Sequence, residues 1–365
     1  MRIVLTGGGT GGHIYPALSL WQYMRARVED LDVRYIGTEA GLEKSIVGKT
    51  DIPFATVEAA GLRRQISVAA LRTALKTGRG YFQAKRLLKQ WQPDVVVGTG
   101  GFVTLPVIFA AHALRIPSVV WEGNARPGLT NQLCAGRTDA VAVSFAGSER
   151  FFSKAKKVVL TGNPRASEVL DIDAGQRRAA MDTYRILRGQ KVVVIYTGSR
   201  GSESVNQVIA RMLPRFFAHP NWRVLFVTGE RHYEEVKAMH PDLPRQVTIH
   251  PFIYDMASVL PHADLIVSRA GSGTLAEICA LGIASILIPS PYVTANHQEE
   301  NAKGLVTQGA AAMIREAELT EDTLWQAIEN QLEDDALERM KKRAKACGTP
   351  DAVNKLYQIV QEVIR

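Results

Sequence analysis

Cysteine is scarce in this chain: Cys134, Cys279 and Cys347 are the only three among 365 residues, far apart and odd in number. That excludes a disulfide framework, offers no metal-ligand spacing and suits reduced thiols. Long apolar runs are missing too. None reaches the length needed to cross a bilayer, and the first residues enter a strand-like run without a signal-peptide pattern, so the protein is expected to stay in the cytoplasm. The sole D-x-D, Asp171-Ile172-Asp173, lies in a polar connection and is read as chance. One further absence is local. No Asp or Glu occurs between Ala59 and Pro93, whereas Arg63, Arg64, Arg72, Lys76, Arg79, Lys85, Arg86 and Lys89 all fall there, equal in number to the whole net charge of +8.

Leu71, Leu75, Tyr81, Phe82, Leu88 and Trp91 interleave with those cations, giving basic amphipathic helices broken at Gly78 and Gly80. Such a stretch, 63–91, suits an anionic membrane surface; a solvated helix face packed on the core is the alternative. No nucleic-acid-binding motif accompanies the charge, and no nucleic-acid partner is expected. What is present otherwise is ordinary: 46% hydrophobic and 22% charged residues, and a length that suggests two globular domains.

Short apolar runs alternate with helical periodicity. Ile3-Val4-Leu5 leads into Thr6 to His13, TGGGTGGH, and then into Ile14, Ala17, Leu18, Trp21 and Met24 at helical spacing. A strand, a glycine turn and a helix start place free N–H groups and a helix dipole where an anion, usually a phosphate, binds. His13 adds an imidazole able to take a proton near neutral pH. A helix-capping role is the plain alternative for His13, and the literal G-x-G-x-x-G of Gly7, Gly9 and Gly12, with Glu39 as a ribose-binding acid, keeps a nicotinamide oxidoreductase open. Further strands are predicted at 33–37, 54–57, 94–97, 117–121, 140–143 and 158–160. After Gly162-Asn163-Pro164 the pattern restarts, with strands at 191–195, 224–227, 247–250, 265–267 and 285–288. Unbroken apolar strands between helices predict parallel sheets covered on both faces, arranged as two doubly wound α/β domains facing across a cleft. In the second half, SRAGSGTLAE (Ser268 to Glu277) joins a strand to a helix, so the N–H groups after Gly271 suit a phosphate, and Glu277 suits either paired ribose hydroxyls or the helix dipole. The C-terminal stripe Val353, Leu356, Tyr357, Val360, Val363 and Ile364, with Pro350 as a first helical residue, predicts a docking helix.

TGGGTGGH, GTGGFVTLP, WEGNARPGLTNQ, TGNPRASEVL, TGSRGS with Asn206, SRAGSGTLAE and HQEENA resemble, in order and spacing, the MurG glycosyltransferases, and the likeness covers nearly the whole chain. The resemblance implies a GT-B fold, an inverting transfer of N-acetylglucosamine from UDP-GlcNAc to undecaprenyl-pyrophosphoryl-MurNAc-pentapeptide, and an acceptor domain (1–163 plus a returning helix, 350–365) beside a UDP-sugar domain (164–349). It puts the UDP diphosphate at Ser272, Gly273 and Thr274 with Ser199 nearby, the ribose at Glu277, the uracil at the Ile253 backbone and the transferred sugar's hydroxyls at Gln298. Thr10, Gly11, Gly12 and Asn124 face the reacting sugar, and His13 or Glu122, with His13 favoured, activates the acceptor. Arg165 is the counterpart of a diphosphate contact, but it follows Pro164 directly where many members have the arginine one position later. Arg200 and Glu299 stand where glutamine is frequent. No cofactor or metal is required, and the expected location is the cytoplasmic face of the cell membrane, held peripherally. A diacylglycerol glycosyltransferase, a UDP-GlcNAc 2-epimerase and a non-catalytic nucleotide-sugar sensor are the alternatives.

Overall fold

The computed structural model describes residues 1–61, 68–198 and 201–364, with the side chains of 68–73 set aside. Arg63, Arg64, Ser199, Arg200 and the side chain of Arg72 therefore lie outside the described residues. Two compact units are present, Met1–Arg165 with Asp351–Arg365, and Ala166–Pro350.

The first unit holds a seven-stranded sheet of β1 (Arg2–Thr6), β2 (Asp32–Gly37), β3 (Phe54–Thr56), β4 (Val95–Gly98), β5 (Ser118–Glu122), β6 (Ala140–Val143) and β7 (Val158–Leu160), in the order β3-β2-β1-β4-β5-β6-β7. Every pairing is parallel. Alternation along each strand feeds two cores. Ile3 and Leu5 pack with Ile14, Leu20 and Met24 of the helix Gly11–Arg25 and with Leu356 and Val360 of the C-terminal helix Ala352–Ile364. Val4 faces the other way, toward Ala84, Leu88, Val107 and Ile108.

The second unit repeats the plan with β8 (Lys191–Tyr196), β9 (Trp222–Val227), β10 (Val247–His250), β11 (Leu265–Ser268), β12 (Ala284–Leu287) and β13 (Ala312–Met313), all parallel in the order β10-β9-β8-β11-β12-β13. Val193, Ile195, Phe226, Val267 and Ile286 build one face of its core. In each unit the strand order reverses beside the first strand, between β1 and β4 and between β8 and β11. The loops leaving those strand ends are where a doubly wound sheet binds ligands.

Two sequence expectations are corrected. From Val68 on, the basic stretch forms one uninterrupted helix, Val68–Trp91, that runs through Gly78 and Gly80. A Cβ on Gly80 would lie 1.8 Å from the Glu58 carbonyl oxygen, so glycine there admits the neighbouring backbone rather than ending the helix. Pro350 precedes the C-terminal helix, which begins at Ala352, instead of occupying its first turn.

Candidate active site

At the first switch point two glycine loops close on each other. The Gly8 N–H donates to the Gly100 carbonyl at 3.1 Å. Gly101 takes φ +80°, and a Cβ on it would lie 2.1 Å from the Gly8 oxygen, so this approach requires glycine. Beneath the loop lies Glu43, fully buried. Its Oε2 accepts the Gly9 N–H at 3.0 Å, and its Oε1 accepts the Thr38 N–H at 2.9 Å and hydroxyl at 2.6 Å. The Tyr35 hydroxyl donates to the Gly7 carbonyl at 2.8 Å, and burial raises its pKa. Neither residue stands out in the sequence, because the glycine-loop groups they hold, Gly9 and Gly7, are 34 and 28 positions away.

Thr10, Gly11, Gly12 and His13 come together where the loop becomes helix. Thr10 and Gly12 are exposed, Gly11 and His13 partly buried. His13 Nδ1 lies 3.0 Å from the Gly8 carbonyl oxygen and 3.3 Å from Thr10 Oγ1. A carbonyl only accepts, so this contact keeps the proton on Nδ1 and makes Nε2 the basic nitrogen. Burial pushes the His13 pKa below its ordinary value, against the opposing pull of the Gly8 carbonyl and the Glu43 charge. The imidazole is therefore neutral at pH 7, the form a general base needs.

Glu122 ends β5 and is buried. Its Oε1 accepts the Asn124 N–H at 2.9 Å and side-chain amide at 3.2 Å, while Oε2 accepts the Gly128 N–H at 3.0 Å and Asn131 Nδ2 at 2.9 Å. Burial raises its pKa and these four donors oppose the rise. The carboxylate thus folds the loop 122–128 and fixes Asn124. The Arg165 N–H donates to Asn163 Oδ1 at 3.1 Å, and its guanidinium lies over the Tyr15 ring, 5.4 Å from the centroid, on the helix that carries His13.

At the second unit's switch point the helix Ser272–Leu281 starts after Gly271 without a side-chain cap and without an acidic residue in its first turn. The first backbone bond of this turn is Leu275 N–H to the Gly271 carbonyl, 3.0 Å. The N–H groups of Ser272, Gly273 and Thr274 thus have no acceptor within the helix, and the dipole adds positive potential there. Glu277 follows on the same helix, 8% exposed. Gln298 accepts the Ser290 N–H at 2.9 Å through Oε1, which presents its amide nitrogen as the donor end. Asn301, on Gln298's helix His297–Val306, ties that helix to the Ala270 carbonyl at 3.2 Å. Ala295 and Asn296, ahead of that helix, both hold left-handed φ, +57° and +52°. Ile253 stands apart on the loop after β10, three strands from β11. That loop is held by the Tyr184 hydroxyl donating to Asp255 Oδ1 at 2.5 Å.

Arg269 is a buried residue within the SRAG segment that escapes sequence reading. Its Nη2 lies 2.7 Å from Ser202 Oγ and 2.7 Å from Glu316 Oε2, and Glu316 Oε1 accepts from Ser204 at 2.7 Å. Through Ser202 the guanidinium joins the loops after β8 and β11, the two that flank the uncapped helix end, and through Glu316 it ties them to the segment after β13. A charged residue directly after a buried strand was its only local signal.

Known proteins share this layout. The glycosyltransferase family 28 N-terminal domain matches residues 3–143 and the corresponding C-terminal domain residues 192–361. A curated relative from Halalkalibacterium halodurans, named UDP-N-acetylglucosamine--N-acetylmuramyl-(pentapeptide) pyrophosphoryl-undecaprenol N-acetylglucosamine transferase, is 47% identical and aligned over 100% of both chains. One of the same name from Bacillus licheniformis is 45% identical over 100% of this chain and 99% of its own. Among solved structures, MurG of Acinetobacter baumannii superposes with a TM-score of 0.79 at 27% identity, covering 99% of each chain. UDP-GlcNAc 2-epimerase of Neisseria meningitidis, solved bound to UDP-GlcNAc, shares the fold alone, at 15% identity and a TM-score of 0.69 over 99% of this chain and 100% of that one. With full-length identity of this order to curated relatives and both halves of the family matched in sequence, the chain belongs to the MurG family of glycosyltransferase family 28.

Proposed function

We propose that this protein transfers GlcNAc from UDP-GlcNAc to the 4-hydroxyl of MurNAc in undecaprenyl-pyrophosphoryl-MurNAc-pentapeptide, with inversion, as a step of peptidoglycan assembly and through it of cell shape and division. The observation that carries the reading is the 47% identity over the entire length with a transferase named for these substrates. In the reaction the acceptor O4 forms a bond to the anomeric carbon while the bond from that carbon to the diphosphate breaks. The electron pair leaves with UDP, and the O4 proton passes to His13 Nε2. A neutral imidazole with its other nitrogen held by a carbonyl is suited to that step. The N–H groups of Ser272, Gly273 and Thr274 meet the charge that gathers on the departing diphosphate, so no metal or cofactor is assigned a part. Ser199 is kept as a further diphosphate contact, Glu277 as the ribose acceptor, the Ile253 backbone as the uracil contact and Gln298 as a donor to the sugar hydroxyls. Thr10, Gly11, Gly12 and Asn124 line the acceptor side. Glu122, saturated by four donors, is assigned to positioning Asn124 rather than to proton transfer. Arg165, engaged beside Tyr15, is kept as a diphosphate contact on charge alone.

The acceptor's polyprenyl chain stays in a bilayer, and the helix Val68–Trp91 gives the enzyme a way to meet it. Leu75 and Phe82, 61% and 70% exposed, stand among Lys76, Arg79, Arg86 and Lys89. Each basic residue near an anionic surface contributes about 1 kcal/mol, which supports peripheral attachment at the cytoplasmic leaflet. Incubating the protein with UDP-GlcNAc, with and without lipid-linked acceptor, tests the main reading: UDP release must depend on the acceptor. Release without acceptor, or conversion of the sugar while it remains on UDP, would assign the chain to a hydrolase or an epimerase instead.

A further inference from the structure

We propose that a cavity at the outer edge of the first unit's sheet receives part of the acceptor's peptide stem, a peptide segment bearing a free amine; the inference rests on the transferase reading above. The cavity has a volume of about 340 Å³ and opens beyond the carboxyl ends of β2 and β3, where Thr38, Gly41, Thr56 and Glu58 line it. Val57 and Phe102 supply apolar walls, and Lys76 and Gln83, seven positions apart on the helix Val68–Trp91, supply polar ones. The Gln83 side chain is built into the site: its Oε1 accepts the Glu58 N–H at 2.7 Å. The cavity also touches the catalytic loop's supports. Thr38 binds Glu43, which binds the Gly9 N–H, and Phe102 lies 3.3 Å from where a Cβ on Gly9 would stand. A ligand seated here would thus sit against the same framework that holds His13.

The chemistry of the lining selects among the pieces of a lipid-linked acceptor. A polyprenyl tail would strip water from Glu39, Glu58 and Lys76 without replacing their hydrogen bonds. A pyrophosphate would face the carboxylates of Glu39 and Glu58. The reacting sugar must bring its hydroxyl to His13, whose ring packs against Gly100 and is not among the lining residues. A peptide brings amides for Thr38 and Thr56, alkyl groups for Val57 and Phe102, and a cationic amine for Glu58, whose Oε1 accepts Gln83 Nε2 at a long 3.5 Å and whose Oε2 has only a distant 3.9 Å contact with Arg79. The volume is at the low end for ligand pockets, enough for a part of the stem and not for the whole acceptor.

The test compares two acceptors, the lipid-linked MurNAc-pentapeptide and the same molecule without its peptide, with wild-type protein and with Glu58→Gln and Thr56→Phe. Thr56 is exposed, so the added ring fills the cavity without entering the core. We expect the wild type to show a lower KM for the peptide-bearing acceptor, and each variant to raise that KM about tenfold, the loss of roughly one charge-assisted hydrogen bond or its steric equivalent. KM for the peptide-free acceptor, KM for UDP-GlcNAc and kcat should stay unchanged. Equal KM values for the two acceptors in the wild type, or variants that shift both acceptors alike, would overturn the proposal. Absence of GlcNAc transfer to either acceptor would instead strike the transferase reading on which it rests.

Discussion

At His13 the backbone of Gly8 chooses the tautomer, and burial chooses the charge. The ordinary pKa of 6.5 is lowered in the folded protein, so the imidazole becomes protonated, and useless as a base, only on the acid side of that value. kcat/KM is therefore expected to be flat through neutral pH and to fall along a single limb below pH 6.5. His13→Ala should lower turnover by about 10²- to 10⁴-fold and abolish that limb. A pH profile of the variant that keeps the wild-type limb would move the base elsewhere. Glu122 makes the contrasting case. Glutamine in its place sets an amide N–H₂ against donors that now have no acceptor, at about 1–3 kcal/mol for each buried group left unsatisfied. Glu122→Gln is expected to lower the melting temperature by several degrees while the acid limb of kcat/KM stays at its wild-type position, a result thermal denaturation and the same pH series would read together. If instead the limb shifts and stability holds, Glu122 is in the proton path.

At the scale of single elements, the helix Ser272–Leu281 offers a way to remove one hydrogen-bond donor and nothing else. Gly271 sits at φ −70° and ψ 140°, the conformation that a following proline demands, and a proline at the first helical position leaves the helix intact. Ser272→Pro deletes the N–H and the hydroxyl; Ser272→Ala deletes the hydroxyl alone. Calorimetric titration with UDP is expected to show about tenfold weaker binding for the proline variant than for the alanine one, since a hydrogen bond to a charged group is at stake. Equal affinities would place the diphosphate away from this helix end. The helix His297–Val306 responds to pH. Glu299, tied to Asn296, Lys303 and Arg315, has its pKa lowered from 4.5 to about 2. A depressed carboxylate contributes stability that is fully present above its unfolded pKa and is lost as pH falls, here from about 4.5 toward about 2. Glu299→Gln should flatten that part of the acid-unfolding curve of the second unit.

How far the sequence could be read follows from the range of each interaction. The glycine loops and the strands before them are local patterns, and TGGGTGGH and SRAGSGTLAE could be placed at strand-to-helix junctions without coordinates. Glu43's hold on the Gly9 N–H and the Arg269–Glu316 pair could not, because they span 34 and 47 positions and no spacing announces them. Gly78 and Gly80 misled for an energetic reason. Each costs a helix about 1 kcal/mol, which reads as a break, yet tertiary packing carries the helix through both. Nothing in the structure explains the choice of glycine at Gly78, where a Cβ would meet no neighbour among the described residues. β13 went unread because a two-residue strand has no period to detect.

At the scale of the molecule, the chain's last residues complete the core built by its first. Val353, Leu356, Ile359 and Val360 of the C-terminal helix are buried in the cluster that holds Ile3, Leu5 and Trp121. The Tyr23 hydroxyl donates to Asn354 Oδ1 at 2.8 Å, the rings of Tyr23 and Tyr357 meet at 5.8 Å, and Lys157 pairs with Glu362. Burying four such side chains is worth about 1.5–3 kcal/mol each, a sum comparable to the roughly 5–15 kcal/mol that stabilises a whole domain. A chain ended after Pro350 should therefore lose the first unit as a folded body. The second unit has its own six-stranded sheet and a core cluster that holds no residue of this helix, so it should persist. Hydrogen exchange resolves the two outcomes strand by strand: protection lost from β1 to β7 and kept from β8 to β13, with UDP still bound. If protection survives in β1 to β7, the terminal helix is an accessory to that core, and the apolar stripe in its sequence must answer to another partner.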